Sequence, residues 1–213
     1  MNSLANNIPH ELRYELDRIE EKGRRQSIEV ASSFIFLIDL RDSYTGGHST
    51  RVATYCQEMG MRMGLDDTEL DMVVTAASLH DVGKIGVSDP VLLKNGKLTD
   101  EEFGEIKKHP EYGWMVLRNI DGLKEASLVV LHHHERLDGR GYPGNLKGDA
   151  IPLGSRIIAV ADTFDAMTTN RPYRKAMTID QSLTEIERCS GTQFDPEAAK
   201  AFISYMGAST VAA

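Results

Sequence analysis

Apolar residues recur along this chain at spacings of three and four, the repeat of an amphipathic helix. Periodic segments predict helices near residues 48–63, 68–79, 99–108, 112–118, 123–134, 153–168, 179–190 and 196–205. Two of them open on a threonine with glutamate close behind, at Thr68 and Thr99, as expected of helix caps. Alternating strands with hairpin turns are hardly visible. The pattern therefore predicts an all-α helical bundle, interrupted by a glycine-rich loop at 138–148.

The first forty residues show two further helical patterns. Leu12, Leu16 and Ile19 form a narrow apolar stripe in residues 11–22, which favours a connector or dimerisation helix over one that packs on its own domain. Residues 27–40 are apolar nearly all round and predict the first buried helix. The expected organisation is an N-terminal helix in 1–27, a main domain over 28–205 and a C-terminal tail at 206–213. The chain is then either a fragment of a longer protein or a stand-alone enzyme.

Charge and cysteine content narrow the functional classes. Lys and Arg number 24 against 32 Asp and Glu, a net charge of -8, which argues against binding nucleic acid polymers but leaves a small anionic ligand open. Cys56 and Cys189 are too few for a disulfide framework or a thiolate metal site. The first ten residues lack a secretory signal, and the apolar stretch at 30–40 is about half of a membrane span. We therefore expect a soluble, cytoplasmic protein without a membrane span.

The candidate chemistry lies in histidines and in two aspartates with apolar neighbours. The histidines are His10, His48, His80, His109, His132, His133 and His134. Asp81 and Asp162 lie within apolar segments, where an ionised carboxylate is costly to bury unless a cation compensates it. Such a combination points to a metal bound by nitrogen and oxygen.

The sequence separations of these residues correspond to one or two helices plus turns, so a bundle can bring them to one level. If His80 and Asp81 share a helix, they diverge by about 100°, which places the carboxylate between two metals. Taken singly, each residue also suits a structural role: His48 or His109 as a hydrogen-bonded core residue, and Asp162 as a helix cap. The adjacent His-Asp and His-His pairs favour a common metal site. Iron, manganese and zinc all suit these ligands, and the sequence does not rank them.

Several ordered motifs resemble a known family. The segment HDVGKIGV at 80–87 resembles the signature of the HD phosphohydrolase superfamily, and HHERLDGRGYP at 133–143 matches the HD-GYP pattern HHExxDGxGYP. The blocks HSTRVA at 48–53, KKHPEYG at 107–113, VADTFDAMT at 160–168 and NRPYRKA at 170–176 are similar to HD-GYP sequence as well. The resemblance covers roughly residues 28–205. It implies an HD-type bundle and a cyclic di-GMP phosphodiesterase that forms pGpG and, in some members, GMP.

The resemblance also implies a ligand set. One metal would be held by His48, His80, Asp81 and Asp162, and the second by Asp81, His109, His133 and His134. Asp81 would bridge two divalent ions, iron or manganese in the first place, with zinc, magnesium or nickel as alternatives. His80, Asp81 and Lys84 are the expected catalytic residues, around a metal-activated hydroxide that attacks phosphorus.

Three positions limit this ligand set. Some family members place a glutamate four residues before the first histidine and use it with a third metal. Tyr44 stands at that position here, so two metals are expected, with a third only if water or another residue fills the gap. His132 precedes the matched block, and His10 lies outside the resemblance.

Substrate contacts are expected from Lys84, from the glycine-rich loop and from a cationic cluster. The expected residues are Lys84, Gly139, Gly141, Tyr142, Pro143, Arg171, Tyr173, Arg174 and Lys175. Lys84 suits a phosphate or the bridging solvent, and the cluster at 171–175 suits a second phosphate and a stacked guanine. The loop has three candidate roles: shaping the substrate mouth, contacting partners of the GGDEF type, or turning the chain.

Two alternative functions stay open at the sequence level. Another HD phosphohydrolase activity would act on mononucleotides or on a hybrid cyclic dinucleotide such as 3′,3′-cyclic GMP-AMP. A protein of a different class would sense cyclic di-GMP or dock signalling proteins without turnover. Because no expected ligand is missing, the enzyme is favoured. A homodimer through the N-terminal helix is a further expectation.

Overall fold

The computed structural model describes residues 47–170 and 175–211, together with 13–15, 18, 19, 22, 23 and 33. These separate N-terminal residues are helical, but most of the two helices predicted in 11–40 lies outside the described residues. So do His10, Tyr44 and three members of the cationic cluster, Arg171, Tyr173 and Arg174. The domain boundaries therefore stay predictions.

Helices account for all the regular structure of the described residues apart from an isolated bridge between Ser190 and Phe194. They are α1 (His48–Met63), α2 (Asp67–Leu79), a 3-10 turn (Val82–Gly86), α3 (Asp89–Leu92), α4 (Asp100–Ile106), α5 (His109–Leu117), α6 (Lys124–Leu131), a second 3-10 turn (Gly148–Ala150), α7 (Leu153–Thr168), α8 (Ile179–Cys189) and α9 (Pro196–Val211). The all-α prediction is confirmed. None of the described helices has the length and apolar character needed to cross a bilayer.

The core forms where α1 packs against α2, α7 and α9. The Tyr55 ring lies edge-on to Phe164 and Phe202, with centroids 5.6 Å apart in each pair. Phe164 and Phe202 are in turn 4.7 Å apart. Burial of such aromatic rings is a major source of folding free energy. These ring contacts fix the position of α1 relative to α7, and both helices carry residues of the candidate site.

Helix ends differ from the predictions in places. Thr99 caps α4 as predicted, accepting a hydrogen bond from the backbone of Glu102 while the Glu102 carboxylate accepts one in return. At α2 the cap is Asp66 rather than Thr68, because Asp66 has extended backbone angles and pairs reciprocally with Glu69. The last helix continues to Val211, beyond the predicted end at 205.

His80 and Asp81 do not share a helix, so the divergence of about 100° considered for that case does not apply. Helix α2 ends at Leu79, and Asp81 precedes a 3-10 turn that packs on the start of α5. The contact depends on Gly83, since a Cβ there would overlap the carbonyl oxygen of His109. The chain therefore leaves the helix to make this close backbone approach.

The histidines of the other motifs also lie at helix ends. Helix α5 begins at His109 rather than at 112, with Pro110 in its first turn, where proline is favoured. Helix α6 ends at Leu131, so the three histidines after it occupy a turn instead of the predicted helix. Most of the candidate ligands thus lie where helices start or stop.

Candidate metal centre

A first group of candidate ligands joins α1, α2 and α7. The Nε2 atom of His48 is 3.3 Å from Nε2 of His80 and 3.3 Å from Oδ1 of Asp162. All three potential donor atoms lie within 4.8 Å of one another. Separations of this size leave room for one cation in contact with each donor.

A second group consists of His109, His133 and His134. Nε2 of His109 lies 3.3 Å from Nε2 of His133, and the His133 and His134 ring centroids are 4.0 Å apart. The donor atoms again lie within 4.8 Å of one another. His132 belongs to neither group among the described residues, and its Nδ1 lies 3.7 Å from a Glu135 oxygen.

Asp81 lies between the two groups and turns one oxygen toward each. Its Oδ2 is 3.6 Å from Nε2 of His48 and 3.4 Å from Nε2 of His80, and its Oδ1 is 3.5 Å from Nε2 of His109. Lys84 donates to Oδ2 at 2.8 Å. Burial alone would raise the pKa of Asp81, but the Lys84 ammonium and the histidines hold it well below its ordinary value. The carboxylate is thus kept ionised.

Three of the histidines are held by their own backbone through Nδ1, which donates to the carbonyl three residues earlier. These bonds run from His80 to Ala77 (2.7 Å), from His109 to Ile106 (2.8 Å) and from His133 to Val130 (2.6 Å). Because a carbonyl only accepts, Nδ1 carries a proton, so in the neutral ring Nε2 keeps its lone pair. Burial lowers the pKa of His109 to about 3, which keeps the ring neutral.

With the proton on Nδ1, the Nε2 lone pairs are available to bind a metal. In His109 and His133 two Nε2 lone pairs face each other at 3.3 Å, an arrangement that repels unless a cation lies between them. Neutral imidazoles fixed by a second hydrogen bond are the usual form of histidine ligands. The donor set therefore fits a divalent metal site.

His48 is held differently, by a carboxylate that the sequence analysis did not identify. Its Nδ1 lies 2.7 Å from Oδ2 of Asp165, which is only 2% exposed. Arg51 donates two hydrogen bonds to the same carboxylate, at 2.6 and 2.9 Å. Burial lowers the pKa of His48, but Asp162 and Asp165 outweigh it and raise the pKa to about 10. The Asp165 carboxylate therefore sets the orientation of the His48 ring.

Replacing Asp165 with asparagine is expected to weaken metal binding about 10- to 100-fold, the usual cost of losing a carboxylate behind a histidine ligand. The amide carries no negative charge and has one oxygen in place of two, so it accepts fewer of the hydrogen bonds that Arg51 and His48 make to this carboxylate. Competition with a chromophoric chelator measures the affinity. Asp180→Asn, at an exposed position in α8, is the matched control, and equal affinities in the two variants would contradict a role for Asp165 in holding His48.

The glycine-rich loop is fastened beside the second group. The buried Glu135 carboxylate accepts hydrogen bonds from the backbone nitrogens of Gly144 and Leu146, at 2.6 and 3.1 Å. A Cβ at Gly141 would overlap the backbone of Glu135 and lie 2.6 Å from the carbonyl oxygen of His134. The loop thus lies directly against the turn that carries the histidines.

The other loop residues have distinct placements. The Tyr142 ring packs on the His134 ring with centroids 4.9 Å apart, and the peptide bond before Pro143 is cis. Gly139 adopts a left-handed conformation, with φ of 81°, at the turn. Lys175, the described member of the cationic cluster, is exposed. The structure therefore brings Tyr142 and Gly141 to the histidines.

Comparison with known proteins defines the class. The sequence profile of the HD domain matches residues 32–198. The chain is 39% identical over 190 residues to the cyclic di-GMP phosphodiesterase response regulator RpfG of Xanthomonas campestris pv. campestris, covering 88% of this chain and 49% of that protein. It is 40% identical over 168 residues to the 3′3′-cGAMP-specific phosphodiesterase 3 of Vibrio cholerae, covering 79% and 36%.

A solved structure shares the fold. Bd1817, an HDG"Y"P protein from Bdellovibrio bacteriovorus, superposes with a TM-score of 0.64 at 13% identity, over 96% of this chain and 75% of that chain. The chain spans about half or less of the length of the two curated relatives. It belongs to the HD domain family. Within that family it carries the longer HD-GYP pattern at 133–143.

Proposed function

We propose that this chain is a metal-dependent phosphodiesterase that hydrolyses cyclic di-GMP to pGpG. The observation that carries the proposal is the position of Asp81, with one oxygen toward each histidine group. A carboxylate between two nitrogen-rich groups suits two divalent ions, the arrangement used for in-line attack on phosphorus. The Xanthomonas relative, whose name carries this activity, supports the substrate class.

The ligand assignment follows the two groups. His48, His80 and Asp162 would hold one ion, and His109, His133 and His134 the other, with Asp81 shared. When bound, the ions activate a water and neutralise charge on the phosphoryl oxygens. Lys84 keeps Asp81 ionised through the contact of its Nζ with Oδ2, so its ammonium group lies beside the carboxylate that the two ions would share. Iron or manganese suits these ligands. The tyrosine at position 44 argues for two ions rather than three. A metal-to-protein ratio near three would contradict the proposed number of ions.

The direct test uses anaerobically purified protein loaded with Fe(II) or Mn(II) and incubated with cyclic di-GMP. Separation of the products is expected to show pGpG, and its ratio to GMP shows how far hydrolysis proceeds. Intact substrate in the presence of two bound metals would instead favour a sensing module. That result would overturn the enzyme assignment.

A second substrate, 3′,3′-cyclic GMP-AMP, is supported by the Vibrio relative named for it. The metal centre acts on a phosphodiester in either molecule, so it does not choose between guanine and adenine. Comparison of kcat/KM on the two cyclic dinucleotides decides the preference. A clearly higher kcat/KM on 3′,3′-cyclic GMP-AMP would make that molecule the substrate in place of cyclic di-GMP.

Removal of metal is expected to abolish hydrolysis without unfolding the protein. Three candidate histidine ligands are tied to backbone carbonyls through Nδ1, by bonds that do not involve the Nε2 atoms facing the metal site. Dialysis against a chelator should therefore leave the far-ultraviolet circular dichroism unchanged, and Mn(II) should restore activity. Irreversible loss of helicity would show that the ions are needed for the fold as well.

The expected partners remain proposals. The loop at 138–148 is exposed at several positions and is our candidate contact for GGDEF-type proteins. The N-terminal helix is the candidate for homodimerisation. Mass measurement across dilution, with and without residues 1–27, tests the pairing.

A further inference from the structure

A cavity of about 270 Å³ opens beside the second histidine group. His133 and His134 form part of its wall, and the wall continues through Tyr142 to Lys107 and Arg140. The pocket is therefore lined both by candidate metal ligands and by three cationic side chains, Lys107, Arg136 and Arg140.

Aromatic contacts place Lys107 beside Tyr142 in the wall of this pocket. The Tyr142 ring lies against His134, and Nζ of Lys107 is 5.5 Å from the Tyr142 centroid and 4.6 Å from that of Phe103. Lys107 is half-buried, and no carboxylate of the described residues forms an ion pair with it. A lysine held only by ring contacts keeps its ammonium hydrogens for an anion.

The acidic groups near the pocket are already engaged. Glu135 accepts from two backbone nitrogens of the loop. Asp138 accepts two hydrogen bonds from Arg136, at 3.1 and 2.8 Å, and one from the backbone of Arg140. The charge of Arg136 is thus paired with Asp138 within the wall. Its Nη1 also donates a hydrogen bond to Oε1 of Gln193 at 2.6 Å. Lys107 and Arg140 carry the remaining positive charge.

We propose that this pocket binds the second phosphate of the cyclic dinucleotide, through Lys107 and Arg140, while the first phosphate is at the metal centre. The inference rests on the proposed function, since a molecule with two phosphodiesters needs an anion site near the reacting one. A locally cationic wall in a chain of net charge -8 suits that ligand class. The sequence also offers the cluster at 171–175 for this phosphate, so Lys107 and Arg140 would contact it together with that cluster, of which only Lys175 is among the described residues.

Lys107→Met and Arg140→Met test the pocket, because methionine keeps much of the aliphatic stem and removes the charge. Loss of a charge-assisted contact is expected to raise KM for cyclic di-GMP about tenfold for Lys107→Met. A smaller rise, about threefold, is expected for the exposed Arg140. Neither kcat nor the cleavage of bis(p-nitrophenyl) phosphate, a small diester with one phosphorus, should change. Added salt should raise KM less in the variants than in the wild type.

Lys108→Met is the matched control, since Lys108 is exposed and does not line the pocket. Thermal unfolding checks that all three variants are folded. Unchanged KM in both pocket variants, or a rise equal to that in the control, would overturn the inference. So would an equal loss on both substrates, which would place Lys107 at the metal centre instead.

Failure of the proposed function gives a different result. In that case the wild-type protein leaves cyclic di-GMP and 3′,3′-cyclic GMP-AMP intact while it cleaves the small diester. The proposed function and the pocket assignment then fall together. Wild-type hydrolysis with unaltered pocket variants overturns the pocket assignment alone.

Discussion

Asp81→Asn is expected to reduce hydrolysis of the cyclic dinucleotide by about a thousandfold or more, roughly 4 kcal/mol of transition-state stabilisation. The amide oxygen has no formal charge and its nitrogen cannot bind a cation, so one of the two histidine groups loses its share of the carboxylate. Metal analysis after gel filtration is expected to show less than the wild-type content. Steady-state kcat with saturating Mn(II) measures the loss in rate.

Asp121→Asn provides the control for this variant, because Asp121 is exposed in a turn. It should retain the wild-type metal content and rate. An Asp81→Asn protein that keeps two ions and a rate within tenfold of the wild type would show that Asp81 does not bridge.

Gly83→Ala is expected to destabilise the protein by about 3 kcal/mol, at the upper end of the usual cost of overpacking. The added methyl would overlap the carbonyl oxygen of His109 and lie 2.5 Å from the backbone nitrogen of Gly113. Both neighbours are backbone atoms and cannot rotate away. The 3-10 turn and α5 must therefore separate, which also displaces His109 from its group. Urea unfolding and chelator competition measure the two effects.

Gly104→Ala is the matched comparison for this substitution. Gly104 lies inside α4, and a Cβ there would meet no atom within 4 Å. Alanine favours the helix, so this variant is expected to be as stable as the wild type or slightly more stable. If the two alanine variants unfold at the same urea concentration, the packing at Gly83 is looser than the structure indicates.

The composition of the candidate site was predictable from the sequence, whereas its local geometry was not. Adjacent His-Asp and His-His pairs in apolar segments indicated a metal site, because a buried carboxylate requires a cation. The end of α2 at Leu79 agrees with the predicted range, whereas the start of α5 at His109 depends on a backbone contact between segments that periodicity treats separately. Gly83 was the available signal, since a glycine beside a candidate ligand often marks a close approach.

The support for His48 was missed for a related reason. Arg51 and Asp165 look like ordinary surface residues of two amphipathic helices, and only the packing of α1 on α7 brings them together. A spacing of three residues recurs on both helices, from His48 to Arg51 and from Asp162 to Asp165. That repeat places each supporting residue about one turn from its ligand.

The two histidine groups have different formal charges, which makes them unequal hosts for a cation. The first includes Asp162 in addition to its share of Asp81, whereas the second has three neutral imidazoles and its share of Asp81. Once a metal displaces the His48 proton, an ion in the first group would be more fully neutralised, so we expect tighter electrostatic retention and earlier loading there. An ion held by His109, His133 and His134 would keep more of its charge and would be the stronger Lewis acid. Partial metal loading should therefore yield protein that holds metal before it gains activity.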